Sequence, residues 1–295
     1  MAKGSSNGVK ALSAYRHDSG RNDFDLAGID PGARPFSSGD KDADRTALVD
    51  LTLEIDTLQN LFHADRRFKL LVVLQGLDTS GKDGTVRVVF GQTSPLGVHT
   101  FSWKAPTQDE RDHDYLWRIH RRVPAAGEVM IFNRSHYEDV LVPVVNGSIT
   151  AEDTQRRYAQ INDFERMLAE TGTVIVKFML HISKDEQRER LQQRLDDPAK
   201  HWKFDRGDLD VRKHWDAYQA AYRDAIAATG TPWAPWIVVP ADSKTHRNLM
   251  IATVIRDLLA GQPASADIWI ALAWCVGILV VAYAFAMYIY RRRIS

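Results

Sequence analysis

Cysteine is nearly absent from this 295-residue chain, and Cys275 is the only one. A disulfide within the chain and a cysteine-based metal site are therefore excluded, in keeping with a reducing compartment. Net charge is absent too: Lys+Arg and Asp+Glu both total 38. That balance argues against a nucleic-acid coat, although it leaves room for a local basic channel. The ten histidines form no H-E-x-x-H or comparable cluster. The N-terminus has no apolar h-region, so no secretory signal is expected. No internal repeat occurs. Residues 1–44 are rich in Gly, Ser, Asp and Arg without apolar periodicity, which predicts a mobile arm.

Against these absences stands one dense motif. The apolar run Lys69–Leu74 leads into Gln75-Gly76-Leu77-Asp78-Thr79-Ser80-Gly81-Lys82, and Thr85–Phe90 can continue as a helix. The spacing fits G-x-x-x-x-G-K, in which backbone N–H groups and a helix N-terminus hold phosphate oxygens. Lys82 adds a cation for the terminal phosphates. Asp83 stands where the usual metal-binding Ser or Thr would be, which makes Asp78 the expected Mg²⁺ ligand within the loop. A second cluster, Asn133-Arg134-Ser135-His136-Tyr137-Glu138, follows the predicted strand Val129–Phe132. Ligand groups gather just past the carboxyl ends of strands in open α/β sheets. Arg134 could clamp phosphate through its planar fork, and Asn133 could bind Mg²⁺ through its amide oxygen.

Apolar periodicity places helices at about 46–66, 107–121, 151–169, 184–195, 208–228 and 244–259. Strands are expected at 69–74, 98–102, 129–132, 174–180 and 236–239. Thr107-Gln108-Asp109-Glu110 reads as a capping box. The alternation predicts an α/β fold, a parallel sheet flanked by helices. Between Lys184 and Lys213 basic residues are dense but nearly matched by acids.

These motifs together resemble the polyphosphate kinase 2 family. The Gly76–Lys82 loop and Asn133–Glu138 are similar to its two signatures. Further likeness lies in Phe101-Ser102-Trp103-Lys104-Ala105-Pro106, His113–His120, Asp197–Phe204 and Ala234-Pro235-Trp236. The resemblance runs from about Arg45 to Leu259, giving a kinase-like domain at 45–260 with a helical lid at about 184–213. It implies Mg²⁺-dependent phosphoryl transfer between inorganic polyphosphate and AMP, ADP or ATP. The Ser135–Glu138 form is similar to the branch that accepts nucleoside monophosphates as well as diphosphates.

It further implies catalytic roles for Asp78, Lys82 and Arg134. Phosphate or polyphosphate contacts are expected at Gly76, Gly81, Arg190, Arg194, Lys200 and Lys203 besides Lys82 and Arg134. Nucleotide contacts are expected at Lys104, Arg118 and Glu138, and metal contacts at Asp78 and Asn133. Two other readings stay open, an ATP-dependent nucleotide kinase of the thymidylate kinase type and a membrane-tethered, non-catalytic phosphate-binding module. A homo-oligomer is compatible with the sequence.

The tail is of another kind. After a linker at 261–267, residues 268–290 carry no charge. A helix of that length spans a hydrocarbon core of roughly 30 Å. Trp269, Trp274, Tyr288 and Tyr290 suit the two interfaces, and a basic tail, 291–295, follows with Arg291-Arg292-Arg293. The stretch weakly resembles the last membrane helix of ABC transporter permeases. The expectation is a cytoplasmic kinase domain anchored to the inner face of the membrane. A fusion or a reading-frame artefact would leave the same sequence.

Overall fold

The computed structural model describes residues 12–18 and 24–261. Six strands form one sheet: β1 (Arg16–His17), β2 (Lys69–Gln75), β3 (Val98–Ser102), β4 (Val129–Asn133), β5 (Thr173–His181) and β6 (Trp236–Pro240). Their spatial order is β1-β6-β5-β2-β4-β3. All neighbours run parallel except β1, which pairs antiparallel with β6, Arg16 opposite Ile237. The central strands are buried on both faces, and for that reason Leu70–Leu74 is continuously apolar. One core face gathers Leu71, Val73, Phe132, Ile175 and Trp236. The other gathers Leu70, Val72, Leu74, Ile131, Val176 and Phe178.

Ten helices accompany the sheet among the described residues: α1 (Lys41–Asp65), α2 (Lys82–Val89), α3 (Gln108–Arg111), α4 (Trp117–His120), α5 (Glu138–Val145), α6 (Ala151–Glu170), α7 (Lys184–Asp196), α8 (Arg206–Lys213), α9 (Trp215–Thr229) and α10 (Lys244–Gly261). A 3₁₀ turn, Pro198–Lys203, links α7 to α8. The helix α1 begins ahead of its apolar pattern because Asp40 caps it, its side chain accepting from Asp42 N. The predicted helix 107–121 keeps its capping box but is two short pieces. Asp114 Oδ1 accepts from Leu116 N (3.0 Å) in the break between them. The predicted helix 208–228 is likewise interrupted at His214.

Helix α5 was not expected, because Pro143 lies inside it. Proline leaves the carbonyl four residues back without its helical donor. Here Arg157 Nη1 donates to that carbonyl, Asp139 O.

The reading of 1–44 as a mobile arm needs correction for its described part. Leu26 is buried against the first core face, Leu12, Tyr15 and Phe36 pack on the second, and β1 extends the sheet. Ser37 and Ser38 are tied to the Asp44 carboxylate. The predicted membrane span, most of the linker and the basic tail lie outside the described residues. Among the described residues, no helix is long and apolar enough to cross a membrane.

Candidate active site

Strands β2 and β4 are adjacent and in register, with Leu74 opposite Asn133. Their carboxyl ends therefore bring the two sequence clusters together. The loop after β2 turns through Gly76 (φ 144°), Thr79 (φ 67°) and Gly81 (φ 104°). A Cβ on Gly76 would come within 2.8 Å of Leu180 O, so the loop lies tight against β5. After β4 the chain turns at Arg134 (φ 65°), an uncommon conformation for a residue with a side chain. Its backbone N donates to Leu74 O (2.9 Å), which fixes the turn on the loop strand.

Lys82 is buried, and its Nζ donates to the loop's own carbonyls, Gly76 O (2.5 Å) and Leu77 O (3.2 Å). Burial lowers its pKa, while Asp78, Glu138 and Asp83 act to keep its charge. Arg134 Nη2 donates to Asp78 Oδ1 (2.7 Å), and Nη1 lies 3.9 Å from Glu138 Oε2. Burial works against the charge on Arg134, but Glu138 and Asp78 outweigh it and its pKa is raised. Asn133 Nδ2 donates to Asp83 Oδ1 (2.6 Å). This bond ties the end of β4 to the first turn of α2.

A cleft of about 680 Å³ opens over the loop. Its lining includes Asp78, Gly81, Lys82, Lys104, Asn133, Arg134, Arg190, Arg194, Lys200 and Lys203, which the sequence reading had scattered along the chain. Nine lining residues are Lys or Arg, and four are Asp. The buried Trp103 Nε1 and Thr79 Oγ1, both on lining residues, have no hydrogen-bond partner among the described residues. A second cavity of about 370 Å³ shares Asp78 and Arg134 with the cleft. It is lined by Gly76, Glu138, Leu141, Val142, Asp210, Val211, Tyr218 and Tyr222, among others. Glu138 has a pKa raised by burial, against the pull of Arg134 and Lys82.

Two further expected site residues are held by groups of the protein itself. Arg118 is buried and committed elsewhere: Nη2 donates to Asp139 Oδ2 (3.0 Å), Nη1 to Lys104 O (2.9 Å), and Glu110 lies 3.5 Å away. It lines neither cavity, and its bond to Lys104 O braces the Trp103–Lys104 turn. Arg190 lines the cleft, but its donors are occupied. Nε meets Glu186, Nη1 meets Thr79 O and Ser80 O, and Nη2 meets Ala241 O and Asp242 O. It clamps the loop to the end of β6. Arg194 is divided between Lys203 O (2.9 Å) and Asp208 Oδ2 (2.7 Å), and Lys200 pairs with Asp197 (2.8 Å).

Sequence reasoning missed Arg247 and Lys244 on α10. Arg247 is buried against Gly81 and donates to Ser80 O (3.1 Å) and Asn248 Oδ1. Burial, then Arg190, pushes its pKa down to about 9. No local signal marks it; the parallel sheet alone brings the start of α10 beside the loop.

The sequence model of polyphosphate kinase 2 (PPK2) matches residues 38–265. The chain belongs to the polyphosphate kinase 2 family. It is 50% identical over 238 residues to the AMP/ADP-polyphosphate phosphotransferase of Meiothermus ruber, covering 81% of this chain and 89% of that protein. It is 39% identical over 217 residues to the ADP-polyphosphate phosphotransferase of Rhodopseudomonas palustris, covering 70% and 75%. The crystal structure of polyphosphate kinase 2 from Arthrobacter aurescens TC1 superposes with a TM-score of 0.82 at 44% identity, covering 87% of this chain and 90% of that one. Within this polyphosphate kinase 2 framework the loop, the Arg134 turn and the basic cleft form one continuous surface.

Proposed function

We propose that this chain transfers a phosphoryl group between inorganic polyphosphate and AMP or ADP, in either direction, with Mg²⁺. The observation that carries the reading is the cleft, where nine cations face four carboxylates around a glycine-rich loop. That surplus suits a long polyanion better than a single triphosphate. The names of the Meiothermus ruber and Rhodopseudomonas palustris relatives, which record this chemistry for those proteins, support it.

Phosphoryl transfer needs in-line positioning and charge neutralisation more than covalent chemistry. Lys82 and Arg134 would stabilise the equatorial oxygens of the moving group. The polymer would occupy the cationic cleft. The nucleoside would enter the second cavity, whose Leu141, Val142, Tyr218 and Tyr222 suit a base and whose Glu138 and Asp210 repel a polyanion. The two meet at Asp78 and Arg134, common to both cavities. The acceptor phosphate is already anionic, so no strong general base is required. Mg²⁺ typically takes one or two carboxylates plus substrate phosphates, and the donor set fits. Asp78 and Asp83, with Asn133 orienting Asp83, would hold it, and the metal would neutralise phosphate charge. Helix α7, the 3₁₀ turn and α8 would serve as a lid that excludes water, a competing acceptor. In this reading the kinase works on the cytoplasmic side of a membrane, with 268–290 as its tether.

The test is direct. Purified full-length chain in detergent is incubated with AMP, Mg²⁺ and polyphosphate, and ADP and ATP are quantified. Formation of both, dependent on polyphosphate, is the expected result. Transfer from ATP to a nucleotide with none from polyphosphate would instead favour the thymidylate kinase type.

A further inference from the structure

Beyond the basic cleft a shallower groove of about 460 Å³ continues between α1, α2 and α10. Its charged lining is Arg45, Arg87 and Lys244, and no carboxylate lines it. Lys244 lines the groove and the cleft alike. Helix α2 joins the two along one face: Asp83 and Gly84 line the cleft, and Arg87 and Val88, four residues on, line the groove.

The cations along this path are poorly neutralised. Arg87 and Lys244 have no ion pair among the described residues. Arg45 pairs with Asp42 at 2.8 Å, but both side chains are mostly exposed, so the pair is weak and easily exchanged. The pKa of Lys244 is lowered, by burial first and then by Arg190, with Arg247 and Lys200 adding to the effect and Glu186 opposing it. The surplus positive field of the cleft thus reaches the groove mouth.

A polyphosphate reacts at one end only, and the rest of the chain must lie somewhere. Toward the second cavity it would meet Glu138 and Asp210. Toward α2, past Asp83, it meets a groove lined by three cations and no carboxylate. We propose that the Arg45–Arg87–Lys244 groove is an exit subsite that holds the distal units of long polyphosphate chains and gives the enzyme a preference for long over short donors. The inference rests on the polyphosphate reading above.

The experiment uses the full chain and the variants Arg87→Gln and Arg45→Gln/Arg87→Gln, both on exposed positions outside the catalytic cleft. Initial rates of AMP phosphorylation are measured with tripolyphosphate and with long-chain polyphosphate. If tripolyphosphate is a poor donor, its inhibition constant against the long chain is read instead. The double variant should raise the long-chain KM by about threefold to tenfold, from the loss of two exposed charge contacts. Its kcat and both tripolyphosphate constants should not change. Arg87→Lys should retain most of the long-chain affinity. An unchanged long-chain KM, or an equal rise for both donors, would overturn the exit subsite while leaving the polyphosphate reading intact. Absence of polyphosphate-dependent transfer in the unaltered chain would overturn both.

Discussion

Arg134 Nη2 lies 2.7 Å from Asp78 Oδ1, and these two residues line both the basic cleft and the second cavity. The pair uses one nitrogen of the Arg134 guanidinium and one oxygen of the Asp78 carboxylate. A phosphate drawn to Arg134 and a metal drawn to Asp78 would each change the charge its partner feels, which would couple their binding.

Lys82→Ala should lower kcat/KM by about 10²–10³, the usual cost of losing a preorganised charge at a reacting oxyanion. The loop carbonyls of Gly76 and Leu77 also lose their donor, so a modest drop in thermal stability should accompany it. Near-normal turnover in the folded variant would remove Lys82 from the reacting centre.

Asp78→Asn and Asp83→Asn should each raise the Mg²⁺ concentration needed for half-maximal rate. Asn133→Ala should do so less, since Asn133 acts through Asp83. Titrating Mg²⁺ against initial rate orders the three. A larger shift for Asn133→Ala would make the amide itself the main ligand.

Asp208, which holds Arg194, has its pKa raised to about 6 by burial and then by Asp78, against the pull of Arg194. Its folded pKa exceeds the unfolded value of about 3.9, so the folded state binds the extra proton. The contribution is present in full below the unfolded value and lost as pH rises through about 6. Protonation should also weaken the hold of Asp208 on Arg194, which lines the cleft. The polyphosphate KM should thus fall as pH drops through about 6, and Asp208→Asn should lower KM and flatten that profile. A profile unchanged by Asp208→Asn would refute the coupling.

Behind Arg134 lies a fully buried pair, Lys177 Nζ to Glu165 Oε2 at 2.6 Å, with Tyr137 and His136 also meeting Glu165. Lys177→Met leaves a buried carboxylate with weakened compensation and should cost about 3–5 kcal/mol in denaturant unfolding. The double change Lys177→Met/Glu165→Leu should recover much of it. A double variant no more stable than the single would show that shape, not charge, sets the penalty.

Every residue assigned to the site precedes Gly261, so a chain ending there should keep specific activity. The full chain, with its uncharged 268–290 stretch, should fractionate with membranes or need detergent. Inactivity of the shortened, folded protein would show that the domain depends on the tail.

The loop and the second cluster were legible because each is a local pattern, with spacing, strand and helix in one stretch of chain. The parallel sheet followed from alternation of apolar runs. Arg118 and Arg190 show where such reading stops. An arginine beside a motif has the same letters whether it faces phosphate or a carbonyl, and only tertiary packing assigns Asp139 to the first and the loop backbone to the second. Arg247 was invisible for the converse reason, since its neighbour Gly81 lies far away in sequence. Helix α5 was hidden by Pro143, whose cost Arg157 offsets from another helix.

The two-residue strand β1 closes one margin of the sheet, with Val238 N donating to Tyr15 O (2.9 Å) just outside the paired residues. Without it, β6 would present free backbone donors and acceptors to solvent, a template for any extended chain. The short N-terminal strand thus covers that edge. A protein shortened past residue 23 should sediment as larger species than the unshortened chain.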